Sequence, residues 1–228
     1  HTVRTRQTCP WRTPGSRGGV AARTPLPPAP VPEGHTIHRL ALDQWRDLGG
    51  EALQVASPQG RMVEDARRLN GSVLKRIDAH GKHLFYRSAE ATLHVHLGLF
   101  GRFRSYHADV PPPRPTTRLR FESGSTTIDL IGPTDCRIVD PGEEEKIRGR
   151  LGPDPLRADG TAKEFALCLS PRRVPPGAAL PDQRVVAGGG NTFALEAPCP
   201  LPARPLQPAA PARADNVSGP WRDDRSPL

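Results

Sequence analysis

The chain has 228 residues, room for one large or two small domains, and a formal net charge of +8. Only 36% of its residues are hydrophobic and 5% aromatic, while 28 prolines and 22 glycines interrupt regular structure at about a fifth of all positions, which excludes one uniformly packed domain. No apolar run approaches the roughly 18 residues of a membrane span, and the start lacks an apolar signal core, so neither a membrane protein nor a conventional secreted one is expected.

Taken in order, residues 1–31 read as a non-native or disordered leader. Residues 1–30 hold six prolines and five arginines but no acid. That composition superficially resembles a transit peptide, yet Pro27, Pro28 and Pro30 break any amphipathic helix. From His35 to Leu48 the apolar residues Ile37, Leu40, Ala41, Trp45 and Leu48 recur at three- and four-residue steps, which predicts a helix ended by Gly49-Gly50. Short segments rich in Val, Ile, Leu, Phe and Thr follow at Leu53–Ala56, Val73–Asp78, His83–Arg87, Thr92–Leu97, Arg102–Tyr106, Arg118–Glu122, Thr126–Ile131 and Arg137–Val139. Their spacing and the turn residues between them predict an antiparallel β-sandwich.

Helical patterns return at Glu143–Leu151 and at Ala162–Leu169, the second with Asp159 and Thr161 as capping candidates. Asp182–Glu196 reads as helix, glycine-rich turn, helix, and Pro198, Pro200 and Pro202 stop the second helix early. Residues 198–228 read as a disordered tail. The fold class expected is α+β, with residues 32–142 as an N-terminal β-sandwich domain and 143–197 as a truncated helical one.

The charge is concentrated at the ends, leaving only about +2 for residues 31–197, so net basicity by itself does not argue for nucleic acid. Arginine outnumbers lysine 28 to 4, the bias of GC-rich codons. Both ends have the Ala-Pro-Arg-Gly character of GC-rich DNA read upstream of a true start or in a shifted frame. Cys9, Cys136, Cys168 and Cys199 show no paired spacing, which supports neither a disulfide framework nor a zinc knuckle and fits a reducing cytoplasm. His94 and His96 share one face of a strand, but no third metal ligand follows at a convincing spacing.

Five strings occur in one order: "VPEGHTIHRL" from Val31, "HGKHLFY" with Lys82, "HLGLFGRF" with Leu99 and Phe100, "GPDPL" from Gly152, and "LPDQRVVAGGGNTFALE" with Asn191. Together they resemble the Fpg/Nei family of DNA glycosylases, and in particular its endonuclease VIII branch, over residues 31–196. The resemblance implies a bifunctional DNA glycosylase and AP lyase that removes oxidised bases, pyrimidines favoured, during base excision repair. It implies a β-sandwich followed by a helix-two-turn-helix domain, here truncated. The expected partner is damaged double-stranded DNA, met by a monomer in the cytoplasm at the bacterial nucleoid.

The chemistry of the candidate residues can be stated from their types. A free N-terminal Pro32 is a secondary amine whose attack on the sugar C1′ expels the base and leaves a cationic iminium, an electron sink that acidifies the C2′ proton. Glu33 is the adjacent proton donor and acceptor. Lys82, in a turn between strands, presents an ammonium to a phosphate. Asn191, expected to open a helix after three glycines, suits another phosphate. Leu99 and Phe100, in a turn between strands, fit a wedge that fills the hole left by a flipped nucleotide, or else pack in the core. Arg61, Arg67, Arg68, Arg102, Arg104, Arg118 and Arg120 are further candidates for phosphate contact.

Two departures from the family stand out. With 31 residues ahead of it, the Pro32 nitrogen is an amide that cannot form an iminium, so translation is expected to begin at position 31, with removal of the initiator exposing Pro32. The family's structural zinc is expected from the resemblance, but its two CxxC pairs have no counterpart here, so no cofactor is expected from this chain.

Overall fold

The computed structural model describes residues 32–171 and 179–190. The expected leader, the helix opened by Asn191 and the tail after Pro198 lie outside the described residues. The first helix, α1 (Gly34–Leu48), buries Gly34, Ile37, Ala41, Gln44 and Leu48, the stripe that three- and four-residue spacing demands. Gln44 is polar yet almost fully buried, because the Tyr86 hydroxyl donates a 2.5 Å hydrogen bond to its Oε1. Trp45, counted on the apolar face, instead lies over Gly49 at the helix end and remains 38% exposed.

Eight strands follow: β1 (Gln54–Ala56), β2 (Arg76–His80), β3 (His83–Arg87), β4 (Thr92–His96), β5 (Arg102–Tyr106), β6 (Thr117–Ser123), β7 (Thr126–Ile131) and β8 (Asp135–Val139). They form two four-stranded antiparallel sheets, ordered β1-β6-β7-β5 and β2-β3-β4-β8. The inner faces meet in one apolar core in which Tyr86 of β3 stacks on Phe121 of β6, ring centroids 5.7 Å apart. The sandwich read from the strand pattern is therefore the fold. Between β1 and β2 lies α2 (Val63–Leu69), a seven-residue helix that the apolar pattern does not announce, because only Ala66 and Leu69 are buried.

β5 and β6 both pair with β7, and Arg102 and Thr117 both stand opposite Ile131. The two strands therefore run parallel, and the connection between them must return along the whole sheet. Pro111, Pro112 and Pro113 keep that strap out of helix, since proline fixes its own φ and disfavours helix in the residue before it, and Pro115 sits in the turn that leads into β6. Beneath it, Arg120 makes a bidentate pair with Asp129 (2.7 and 2.8 Å) and donates to the Pro111 carbonyl at 2.9 Å. Arg120 is thus a structural residue and not a phosphate ligand.

The later helices start where side chains cap them. α3 (Pro141–Arg148) begins two residues before the predicted Glu143, with a capping box between Asp140 and Glu143 and proline in its first turn. α4 (Ala162–Leu169) is capped by Thr161 and Glu164, while Asp159 binds Arg157 instead. Asp182–Ala187, predicted as a helix, is a series of turns. Its carbonyl and amide groups are engaged elsewhere: Gly152 N–H donates to the Gln183 carbonyl (2.8 Å) and Ala187 N–H to that of Pro153 (3.0 Å).

On the outer face of the second sheet His83 stacks between His94 and His96, and its Nδ1 is 2.8 Å from His94 Nε2. Burial pushes His83 down to about 3, reinforced by His96 and His94. Burial likewise pushes His94 down to about 4, against the pull of Asp135. An unfolded histidine titrates near 6.5, so below that pH the unfolded chain takes up protons that the folded one refuses. Stability is accordingly expected to fall as pH drops from about 6.5 toward about 4, and the part of the loss above about pH 5 precedes the titration of ordinary carboxylates. Thermal melts across pH 7 to 4.5 check this. The His83→Gln variant is expected to flatten the slope, and a wild-type midpoint constant over that range would contradict the assignment.

Candidate active site

Pro32 and Glu33 precede α1, with Glu33 as its N-cap residue in extended conformation, and its side chain makes no cap hydrogen bond. Glu33 is buried and Pro32 half-buried. What encloses Glu33 is the glycine-rich segment: a Cβ at Gly190 would run into the Glu33 carboxylate. Two residues earlier, Gly188, at φ +85°, accepts a 2.9 Å hydrogen bond from Gly34 N–H through its carbonyl. A Cβ on Gly34 would stand 2.8 Å from the Gly188 α-carbon, and one on Gly81 would stand 3.0 Å from its nitrogen. Three chain segments thus cross backbone to backbone at Gly34, Gly81 and Gly188, a closeness only glycine permits.

Gly81 and Lys82 form the turn between β2 and β3. Burial pushes the Lys82 ammonium below its ordinary value, and the Glu33 carboxylate pulls the other way, so the two charges sense each other. The Lys82 carbonyl accepts a 3.0 Å hydrogen bond from His96 Nδ1. Asp154, from the Gly152-Pro153-Asp154 string, joins the elements. Its Oδ2 accepts from His38 Nε2 on α1 (2.8 Å) and from Gly81 N–H (2.7 Å), and its Oδ1 accepts from Leu156 N–H (2.9 Å). Burial alone would raise this carboxyl, but hydrogen bonds from His38, Gly81 and Leu156 outweigh it and hold the group below the usual carboxylate range. Asp154 was missed as a site residue. Only its place in a matching string marked it, because the partners that give it a role are remote in sequence.

Leu99 and Phe100 are 65% and 80% exposed, so they are not core residues. Their turn runs from β4 in one sheet to β5 in the other and is pinned by its backbone: Gly101 N–H and Thr134 N–H both donate to the Leu97 carbonyl, at 3.1 and 3.2 Å. Leu97 itself is buried. A rigid turn therefore holds two large apolar side chains in water, on the same end of the sandwich as the Lys82 turn.

Asn191 lies outside the described residues. His94 and His96 are engaged with His83 and Lys82, as above, and Arg67 is paired with Glu64. Among the described residues no group of three or more His, Cys, Asp or Glu side chains could hold a metal ion. The described cysteines, Cys136 and Cys168, are two free thiols, which do not fit a four-cysteine zinc site. Among the described residues no helix is long and apolar enough to cross a membrane.

Residues 31–141 match the formamidopyrimidine-DNA glycosylase N-terminal domain, and relatives extend the match into the helical part. Endonuclease 8 1 of Mycobacterium tuberculosis is 43% identical over 171 residues, covering 73% of this chain and 64% of that protein. The chain belongs to the Fpg/Nei family. Another relative, the DNA-(apurinic or apyrimidinic site) lyase Nei2 of Mycolicibacterium smegmatis, is 34% identical over 171 residues, covering 73% of this chain and 65% of that one. This Fpg/Nei chain spans 64% of the length of the first of these relatives, just under two thirds. Its fold is that of Lactococcus lactis formamidopyrimidine-DNA glycosylase, solved bound non-covalently to DNA containing an AP site. The match has a TM-score of 0.65 at 19% identity and covers 81% of this chain and 74% of that one.

Proposed function

We propose that this chain, in a form whose first residue is Pro32, is a bifunctional DNA glycosylase and AP lyase that excises oxidised bases, pyrimidines before purines, from duplex DNA during base excision repair. The observation that carries the reading is the glycine crossing, which brings Pro32-Glu33 and Lys82 to one place. The likeness to proteins named endonuclease 8 supports the lesion class.

A free Pro32 nitrogen attacks C1′ of the extruded nucleotide. The C1′–base bond breaks and the base leaves with a proton, for which Glu33 is the adjacent donor. The nitrogen then gives up its proton and its lone pair forms a double bond to C1′ as the C1′–O4′ bond breaks and O4′ takes up a proton, which opens the sugar ring to an iminium. That positive charge lets a base take the C2′ proton, and the C–H electrons form a C2′–C3′ double bond as the 3′ phosphate departs. A second elimination releases the 5′ phosphate, leaving a one-nucleotide gap. Lys82, close to Glu33 in charge terms, binds the phosphate of the extruded nucleotide. With Val31 attached, the Pro32 nitrogen is an amide and only DNA binding is left to the chain.

Leu99 and Phe100 occupy the space vacated by the flipped nucleotide. Because both side chains lie in water, Leu99→Ala with Phe100→Ala should change stability by no more than about 0.5 kcal/mol. A lost wedge is worth a few kcal/mol of DNA distortion, so incision should fall by roughly tenfold or more. The assay uses a chain beginning at Pro32 and duplexes carrying an oxidised pyrimidine or an oxidised purine. Expected are faster cutting of the pyrimidine duplex, phosphates on both sides of the gap, and an unchanged melting midpoint in the double variant. Equal cutting by the variant would remove the wedge, and absence of any incision would remove the enzymatic reading.

A further inference from the structure

The sequence offers seven arginines for phosphate contact without ranking them; the pairing registers gather Arg61, Arg102 and Arg118 of these at one end and add Arg114, which is not among the seven. One end of the sandwich can be followed strand by strand. The Lys82 turn joins β2 to β3, and β4 leads through the Leu99-Phe100 turn into Arg102, the first residue of β5. Beyond β7, Thr117 opens β6 at the same level as Arg102, since both stand opposite Ile131. Arg114 is tied to that level by two hydrogen bonds, Thr117 N–H to its carbonyl (2.9 Å) and its own N–H to Thr117 Oγ1 (3.1 Å). The Thr117 carbonyl accepts from Gln59 N–H at 3.1 Å, and Arg118 Nε donates to Gln59 Oε1 at 2.8 Å, which brings the loop with Arg61 to the same end.

Arg61, Arg102 and Arg114 are exposed, Arg118 is half-buried, and among the described residues none of the four makes an ion pair. Arg67 and Arg120 are excluded, the first by Glu64 and the second by Asp129. At about 4.8 Å per strand, the rim from β5 across β7 and β6 to β1 extends roughly 15 Å, about four nucleotide steps at 3.4 Å of rise per strand. The Leu99-Phe100 turn lies between this rim and Lys82.

We infer that the Arg61–Arg102–Arg114–Arg118 rim binds the backbone phosphates of the double-stranded DNA arm on the far side of the Leu99-Phe100 wedge from Lys82. The inference rests on the DNA-repair reading and extends the contact surface beyond the nucleotide being processed. A duplex arm is stiff enough to present its phosphates to a rim beyond the wedge and a single strand is not, so the rim favours duplex over single-stranded substrates.

Salt-dependent binding of the full chain tests it, with fluorescence anisotropy on a duplex carrying a stable abasic analogue and on the same strand alone. The triple variant Arg61→Gln/Arg102→Gln/Arg114→Gln is expected to lower the slope of log affinity against log salt on the duplex by about 0.9 per arginine. Duplex affinity near physiological salt should fall about tenfold or more. Single-strand affinity and the melting midpoint should not change. A control triple of equal charge loss, Arg39→Gln/Arg46→Gln/Lys163→Gln, should leave the duplex slope intact. An unchanged slope in the rim variant, or equal losses on duplex and single strand, would overturn the rim while leaving the repair reading in place. A wild-type chain that binds neither DNA would overturn both.

Discussion

Replacing Asp154 by alanine is expected to destabilise the protein by about 3 kcal/mol, as loss of one partner from a buried charged network does. That is a drop of roughly 6–12 °C in melting midpoint for a chain of this size. The carboxylate takes a charge-assisted hydrogen bond from His38 and backbone bonds from Gly81 and Leu156, and it is 2% exposed. Its removal leaves the buried Gly81 N–H without an acceptor, at about 1–3 kcal/mol, and frees the half-buried His38 as well. The effect should reach function as well. Asp154 ties α1, which follows Pro32-Glu33, to the turn that carries Lys82, and a displacement of about 1 Å in such an arrangement can cost on the order of a hundredfold in rate. His38→Ala removes one half-buried partner and should cost only about 1 kcal/mol. Because the folded carboxyl titrates below its unfolded value near 3.9, its contribution is fully present above that pH and is lost as pH falls through the folded value. It is thereby separable from the histidine effect, which acts at higher pH. Calorimetry and single-turnover incision check both parts, and an alanine variant as stable and as active as the parent would contradict the assignment.

Much of the fold was legible because burial is periodic. Ile37, Ala41 and Leu48 mark α1, and Leu84, Tyr86, Leu93 and Val95, at most 1% exposed, mark the inner face of β3 and β4, although Phe85 and His94 between them are buried as well. α2 was not legible, since seven residues with two buried positions carry too little periodicity and Met62 gives it no side-chain cap. The turns at Asp182–Ala187 were misread for a different reason. No residue type between Asp182 and Ala187 forbids a helix, but Gln183 spends its side chain on the glycine segment, accepting from Gly188 N–H (2.9 Å) and donating to the Gly189 carbonyl (2.6 Å). Tertiary hydrogen bonds replace helical ones there, and local propensity does not report them. In the candidate site, Pro32, Glu33 and Lys82 are singled out by residue type and order. Their meeting at Gly34, Gly81 and Gly188, and the role of Asp154, depend on contacts between segments far apart in the chain.

A free nitrogen on Pro32 is the central requirement, and its effect is all or none. As an amide its lone pair is delocalised into the peptide bond. As a terminal secondary amine with a pKa near 8, about one molecule in ten is unprotonated at pH 7 and ready to attack. Borohydride reduces an iminium to a permanent amine, so it converts the intermediate into a covalent protein–DNA adduct. The decisive measurement is borohydride trapping on abasic-site DNA, comparing a chain that begins at Pro32 with one that keeps residues 1–31. A cross-link formed only by the first, mapped to Pro32, is the predicted result; equal trapping by the second would contradict it.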